Sequence, residues 1–285
     1  HDNWVHCIYE SKGVGVPALN THKTPPWRTQ MLFDTHAHYD DEKFDADRDE
    51  VLRRVHESGV LYIVNASSDM ASAKECIALA DKYDFIYAAV GVHPHSAKEM
   101  KEEDIKVLAE YAAISKVVAI GEIGLDYYYD NSPRDVQKYW FARQIELARE
   151  VGLPIIIHDR DAHEDTMSII KAEKAREVGG VFHCYSGSVE MARDVLNNNF
   201  YIALGGAVTF KNARKILDVA RYVPEDRLLI ETDCPYMTPE PHRGKRNDSG
   251  YVRLVAEKIA EIKGVSFEDI ARITMQNAKK CFNID

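Results

Sequence analysis

Residues 117–158 read VVAIGEIGLDYYYDNSPRDVQKYWFARQIELAREVGLPIIIH. The segment opens on VVAIGEI (117–123) and closes on PIIIH (154–158), two apolar runs of strand length. Between them VQKYWFARQIELAREVG (136–152) repeats its apolar residues at helical spacing. Pro133 stands where that helix should start and Gly152 where it should stop. Strand, helix and strand in direct succession form the unit of a parallel sheet, because parallel neighbours need a crossover between them.

The same alternation extends both ways. Strand-like runs precede it at LFDTH (32–36), VLYIVNA (60–66) and IYAAVGV (86–92), and follow it at GVFHC (180–184), FYIALGG (200–206) and RLLIETD (227–233). Helix-period segments such as DEVLRRVHESG, ASAKECIALADKY, EDIKVLAEYAA and NARKILDVARYV fill the gaps, with Gly59 and Gly179 at further stops. Eight βα units over roughly 250 residues predict an α/β fold, a TIM-type (β/α)8 barrel. No Pro/Gly/Ser-rich linker divides residues 31–285, so they are expected to form a single barrel domain, with helices near 249–263 and 266–281 completing and capping the ring. Residues 1–30 show no period and are expected to be an N-terminal extension or leader ahead of a natural start at Met31, which discounts His6, Cys7 and His22 as ligands.

Composition narrows the function. The chain has 285 residues, 45% of them hydrophobic, and a net charge of −10, which argues against holding nucleic acid on a broad basic surface. Its five cysteines are scattered without a C-x-x-C pair, which fits reduced thiols in the cytoplasm. Nothing approaches a membrane-spanning apolar run, and no obligatory protein partner is indicated.

In such a barrel, polar residues at the C-terminal ends of the strands belong to the active site. The stretch LFDTHAHYDDEKF (32–44) places His36 and His38 there, on one side of the chain because strand residues alternate. With 12 histidines in the chain, roughly half an H-x-H pair is expected by chance, so company decides its meaning. The company is Glu122 after the fourth run, His158 after the fifth, His183 in the sixth and Asp233 at the end of the eighth. Six nitrogen and oxygen ligands on one rim form a metal site. Cys184 and Cys234 are expected to point the other way, as small packed residues.

H-x-H after the first strand, GEIGLDYYYDNSPRDVQKYWFARQIELA (121–148), FHCYSG (182–187) and LLIETDCPYMTP (228–239) together resemble the TatD-type metal-dependent deoxyribonucleases of the amidohydrolase superfamily. The resemblance runs from about residue 31 to the C-terminus. It implies a distorted TIM barrel, a divalent metal centre, and hydrolysis of phosphodiester bonds, commonly as an exonuclease trimming 3′ ends of DNA. The family's ligands fall on His36, His38, Glu122, His158, His183 and Asp233.

Two divalent ions about 3.5–4 Å apart lower the pKa of a water between them and screen the phosphate. His36, His38 and Asp233 are assigned to one ion, His158 and His183 to the other, with Glu122 bridging and Asp233 also the general base. Mixed ligation suits Mg, Mn or Zn alike. Substrate groups are expected from Arg243, Lys245 and Arg246 in PEPHRGKRN (239–247), matching the family's RGKRN segment, although Asp248-Ser249 stands where the family usually has Glu-Pro. Tyr127, or its neighbours Tyr128 and Tyr129, would stack on a terminal base. Arg160 would orient a carboxylate or touch phosphate. His93 is read as a phosphate donor or leaving-group acid, against a turn set by Pro94. DNA, through single-stranded 3′ ends, is the expected partner. Other esters or amides, aminoacyl-tRNA among them, remain the alternative substrates, whereas the H-x-x-E of a deaminase is not matched by His163-Glu164.

Overall fold

Strands buried on both faces are continuous apolar runs and pair in parallel, with helices covering them. The computed structural model describes residues 31–285, and the expectation for residues 1–30 lies outside them. Strands β1 (Leu32–Ala37), β2 (Val60–Ala66), β3 (Ile86–Val90), β4 (Val117–Asp126), β5 (Ile155–Arg160), β6 (Gly180–Phe182), β7 (Phe200–Leu204) and β8 (Leu228–Ile230) pair in chain order, each parallel to the next. Helices α1 (Arg48–Glu57), α2 (Met70–Lys82), α3 (Glu102–Ala112), α4 (Arg134–Val151), α5 (His163–Ala172), α6 (Val189–Asn197) and α7 (Arg214–Tyr222) make the crossovers, and α8 (Val252–Lys263) and α9 (Phe267–Phe282) follow. The expected TIM barrel is the architecture found.

Two cores share the apolar residues. The larger lies between strands and helices, while a second holds Phe33, Val64, Ala89, Ala119, Ile156, Val181, Ala203 and Leu229 together with Met275, Ala278 and Phe282 of α9. Small alanines in that inner set leave room for α9 to fill, so one end of the barrel is plugged and the other is left for the site. Among the described residues, no helix is long and apolar enough to cross a membrane.

The barrel closes irregularly. Between β8 and β1 the full ladder gives way to a bridge in which the His38 amide donates to the Cys234 carbonyl (2.8 Å) and the Asp233 amide to the His36 carbonyl (2.9 Å). The buried Asp34 carboxylate completes the seam by accepting from the Thr232 amide (2.9 Å) and hydroxyl (2.5 Å). The strand expected over 227–233 therefore stops at Ile230, and Asp233 adopts φ 58° beside the H-x-H pair. Conversely β4 runs past the expected 123 to Asp126, because Gly124, Leu125 and Asp126 pair with His158, Asp159 and Arg160. Gly124 permits that approach: at its φ of +146° a Cβ would collide with the His158 carbonyl oxygen. Gly124→Ala is expected to cost at least ~2–3 kcal/mol, read as a lowered denaturant midpoint. An unchanged midpoint would show that the two strands can part.

Candidate metal centre

The strand ends bring six residues together around Glu122. Its Oε1 lies 2.7 Å from His158 Nδ1 and 2.7 Å from His183 Nε2, and its Oε2 lies 3.2 Å from His36 Nε2 and 3.6 Å from His38 Nε2. Asp233 Oδ1 is 3.2 Å from His38 Nε2 and 3.7 Å from His36 Nε2. The two Nε2 atoms of His36 and His38 are 3.1 Å apart, and His183 Nε2 is 3.4 Å from His158 Nδ1. Among the described residues, three groupings could hold an ion: His36, His38 and Asp233; His36, Glu122 and His183; and His93, Glu122 and His158. His36, His38 and Asp233 thus group as expected, while His183 groups with His36 and His158 with His93, Glu122 being common to both.

The residues fit a metal. His38 Nδ1 donates to the Ala66 carbonyl (2.8 Å), which leaves Nε2 for the centre. The His36 and His183 rings stack at 3.8 Å; neither buried Nδ1 makes a hydrogen bond, that of His183 lying 3.6 Å from Glu231, and both rings turn Nε2 to the centre. Imidazole nitrogens and carboxylate oxygens crowded into one buried volume are the donor set that Mg, Mn and Zn accept.

Without an ion, protons mediate these contacts. Burial works against a charged His38, but the hydrogen bond and charge of Asp233, with Glu122 and Asp40, raise its pKa to about 9. Burial likewise opposes ionisation of Glu122, yet the charge of His183 and the hydrogen bond from His158 hold it well below the usual carboxylate range. Metal takes up neutral imidazole, so binding must displace the His38 proton at any pH below about 9, and apparent affinity falls as pH drops. Calorimetric Mn²⁺ titration at pH 7 in buffers of different ionisation enthalpy is expected to show proton release; identical heats in all buffers would contradict it.

The centre lies at the floor of a cavity of about 880 Å³, whose wall includes His93, His95, Arg160, Tyr129, Cys184 and Tyr236. His93 Nδ1 accepts from the His95 amide (3.1 Å), so its Nε2–H faces Glu122 Oε1 at 3.5 Å. Burial and the charge of His158 push its pKa down to about 4, which makes it a neutral donor rather than an acid.

Several expectations move. Tyr127 is turned away, its hydroxyl donating to Asp165 (2.5 Å) and its ring covered by Arg134, and Tyr129 stands at the wall instead. Cys184, at φ 43°, breaks strand alternation and lines the cavity rather than packing away from it, whereas Cys234 is buried as expected. Arg243, Lys245 and Arg246 lie outside the cavity wall; Arg243 covers Phe210, and the Arg246 fork is spent on Asp47 (2.8 and 2.7 Å). Asp248 caps the following turn and accepts from Arg54 (2.9 Å), so the departure at Asp248-Ser249 anchors the loop. Sequence reasoning missed the buried Asp126, which accepts from His158 Nε2 (2.9 Å), and the buried Glu231, 3.6 Å from His183 Nδ1. A signal existed for both: each is an acidic residue at or just past a strand end, Asp126 four positions after Glu122 and Glu231 two before Asp233.

A closed parallel barrel with four histidines and two carboxylates converging at its mouth defines a metal-dependent hydrolase. The model of TatD related DNases matches residues 33–283, and the chain belongs to that family. It is 53% identical over 255 residues to the uncharacterized metal-dependent hydrolase YabD of Bacillus subtilis (strain 168), covering 90% of this chain and 100% of the relative. It is 30% identical over 259 residues, 89% of this chain and 100% of the relative, to a protein of Erwinia tasmaniensis named 3'-5' ssDNA/RNA exonuclease TatD. Among solved structures, the TatD homolog YjjV of Escherichia coli superposes with TM-score 0.85 at 30% identity, covering 90% of this chain and all of that one.

Proposed function

We propose that this chain is a phosphodiesterase that trims single-stranded 3′ ends of DNA with two divalent ions, working in the cytoplasm. The observation that carries the reading is Glu122, whose two oxygens face the β5–β6 histidines on one side and the β1 histidines on the other. Bound metal would supply an activated water and screen the phosphate charge. Within the chain, His36, His38 and Asp233 would hold one ion and His158 and His183 the other, since the facing nitrogens of that second pair lie 3.4 Å apart and each 2.7 Å from Glu122, which both ions would share. Asp233, whose side chain is 17% exposed against 4% for Glu122, meets the cavity and is placed to take the proton of the attacking water. Arg160 would offer its N–H groups to phosphate oxygens from the wall, whereas the His93 N–H is turned toward Glu122 at 3.5 Å. The 3′ polarity and single-strand preference are supported by the Erwinia relative, which is named a 3'-5' ssDNA/RNA exonuclease. The net charge of −10 supports weak grip on long duplex and steep dependence on salt.

The test is a time course on a 5′-labelled single-stranded oligonucleotide with metal-stripped protein, with and without Mg²⁺ or Mn²⁺. A metal-dependent ladder shortening from the 3′ end is expected. No cleavage by protein that binds Mn²⁺ would move the reading to acyl esters such as aminoacyl-tRNA.

A further inference from the structure

Asp126 is fully buried, yet its carboxylate has four partners that belong to different parts of the mouth. Its Oδ2 accepts from His158 Nε2 and from His95 Nε2, both at 2.9 Å. Its Oδ1 accepts from the amides of Tyr128 (3.1 Å) and Tyr129 (2.8 Å). The backbone of Asp126 is itself fixed, its amide donating to Gln137 Oε1 (2.8 Å) and its carbonyl accepting from Gln137 Nε2 (3.2 Å). A single carboxylate therefore ties a proposed metal ligand to the loop that carries two tyrosines.

Those tyrosines are exposed, at 58% for Tyr128 and 53% for Tyr129, although their backbone amides are held by Asp126. The Arg160 guanidinium lies 4.2 Å from the Tyr128 ring centre and 4.9 Å from that of Tyr129, and the Tyr129 ring meets His95 edge-on at 5.3 Å. Tyr129 and Arg160 both line the cavity. A cationic plane against two solvent-facing rings gives a surface on which any base can stack, since every base has a π-face.

We propose that Asp126 is a positioning residue that locks His158 in the tautomer able to ligate metal and, through its other oxygen, sets a Tyr128–Tyr129–Arg160 platform on which the terminal base of a nucleic-acid strand stacks. The platform half rests on the phosphodiesterase reading; the His158 half does not. A carboxylate only accepts, so His158 Nε2 donates to Asp126 and Nδ1 donates to Glu122; a metal would take the place of the Nδ1 proton, and Asp126 keeps the remaining proton on Nε2 so that Nδ1 is the nitrogen that ligates. Because both jobs share one carboxylate, the distance between the metal centre and the stacked base is fixed by a rigid buried group rather than by a mobile loop.

Asp126→Asn separates the two. The amide oxygen still accepts from Tyr128 and Tyr129, but the amide NH₂ donates toward His158 Nε2, so Nε2 becomes an acceptor and the ring proton stays on Nδ1, where it competes with metal. Mn²⁺ affinity, measured calorimetrically, is expected to fall about 10–100-fold with the thermal midpoint near that of the wild type. The imidazole ¹⁵N shifts of His158 should show Nε2 protonated in the wild type and unprotonated in Asp126→Asn. Asp126→Glu keeps the acceptor and should recover part of the affinity, and it carries the test should the Asn variant fail to fold. Wild-type Mn²⁺ affinity in Asp126→Asn, or equal losses in both variants, would overturn the positioning role.

Tyr128→Ala with Tyr129→Ala alters only exposed rings, and should leave Mn²⁺ affinity at the wild-type value. With a single-stranded oligonucleotide, KM should rise about tenfold. The wild type should prefer a base-bearing 3′ end to the same strand ending in an abasic residue, and the double variant should lose that preference. A preference that survives would overturn the platform. Wild-type protein that cuts neither strand with Mn²⁺ would sink the phosphodiesterase reading and the platform with it, while the isotherms and ¹⁵N shifts would still decide the role of Asp126.

Discussion

Glu122→Ala should remove oligonucleotide turnover by at least ~10²–10³-fold and leave the barrel folded. The reason is positional. Among the described residues, Glu122 is the one side chain whose oxygens lie within 3.2 Å of histidines from β1, β5 and the end of β6. Its removal leaves the buried rings of His36 and His183 with no anion between them, although burial already disfavours their charged forms. The raised pKa of His183 owes more to Glu122 than to any other charge, so in the variant that ring should lose its proton at lower pH. Stability then weakens most on the acid side, where the unfolded chain protonates its histidines and the folded variant resists. Mn²⁺ titration should accordingly show fewer equivalents bound as well as lost turnover. Wild-type rates in this variant would mean that the bridging carboxylate is elsewhere and would undo the site assignment.

The ligands were legible because two regularities located them. Strand alternation puts His36 and His38 on one side, and the barrel rule places residues at strand ends in the mouth. What was not legible depends on partners distant in sequence. Asp126 is one of 46 acidic residues until His158, 32 positions on, is brought against it by the β4–β5 pairing. Asp34 reads as an acidic intrusion in β1 until Thr232, 198 positions away, meets it at the seam. Three consecutive tyrosines carry no mark of which will face the cavity; the turn imposed when Asp126 accepts the amides of Tyr128 and Tyr129 decides it. The basic loop shows the same limit in reverse. Sequence reveals the charge of Arg246 but not Asp47, which neutralises it from the far end of the chain, so the positive group at the wall is Arg160 from β5. Cys184 escaped the alternation rule because β6 ends at Phe182, after which the backbone turns through φ 43°.

Asp233→Asn is the complementary variant, and its signature differs from that of Glu122→Ala. The side chain keeps its shape, and the backbone keeps φ 58°, a left-handed conformation that asparagine tolerates as well as aspartate. The seam bond from its amide to the His36 carbonyl (2.9 Å) also survives, so the fold should hold. What disappears is the carboxylate that, on the proposed reading, ligates from the rim and accepts the proton of the attacking water. Turnover should fall by about 10²–10³-fold, with Mn²⁺ still bound to the remaining ligands at reduced affinity. The two functions can be told apart through His38. Its pKa stands at about 9 against the opposition of burial, chiefly because Asp233 accepts its hydrogen bond and offsets its charge. Without that charge the ring returns toward its ordinary range, and fewer protons should be released when Mn²⁺ binds at pH 7. Reduced proton release together with lost kcat would assign Asp233 both roles. Reduced release with kcat preserved would leave it a ligand only and move the proton acceptor to another group at the mouth.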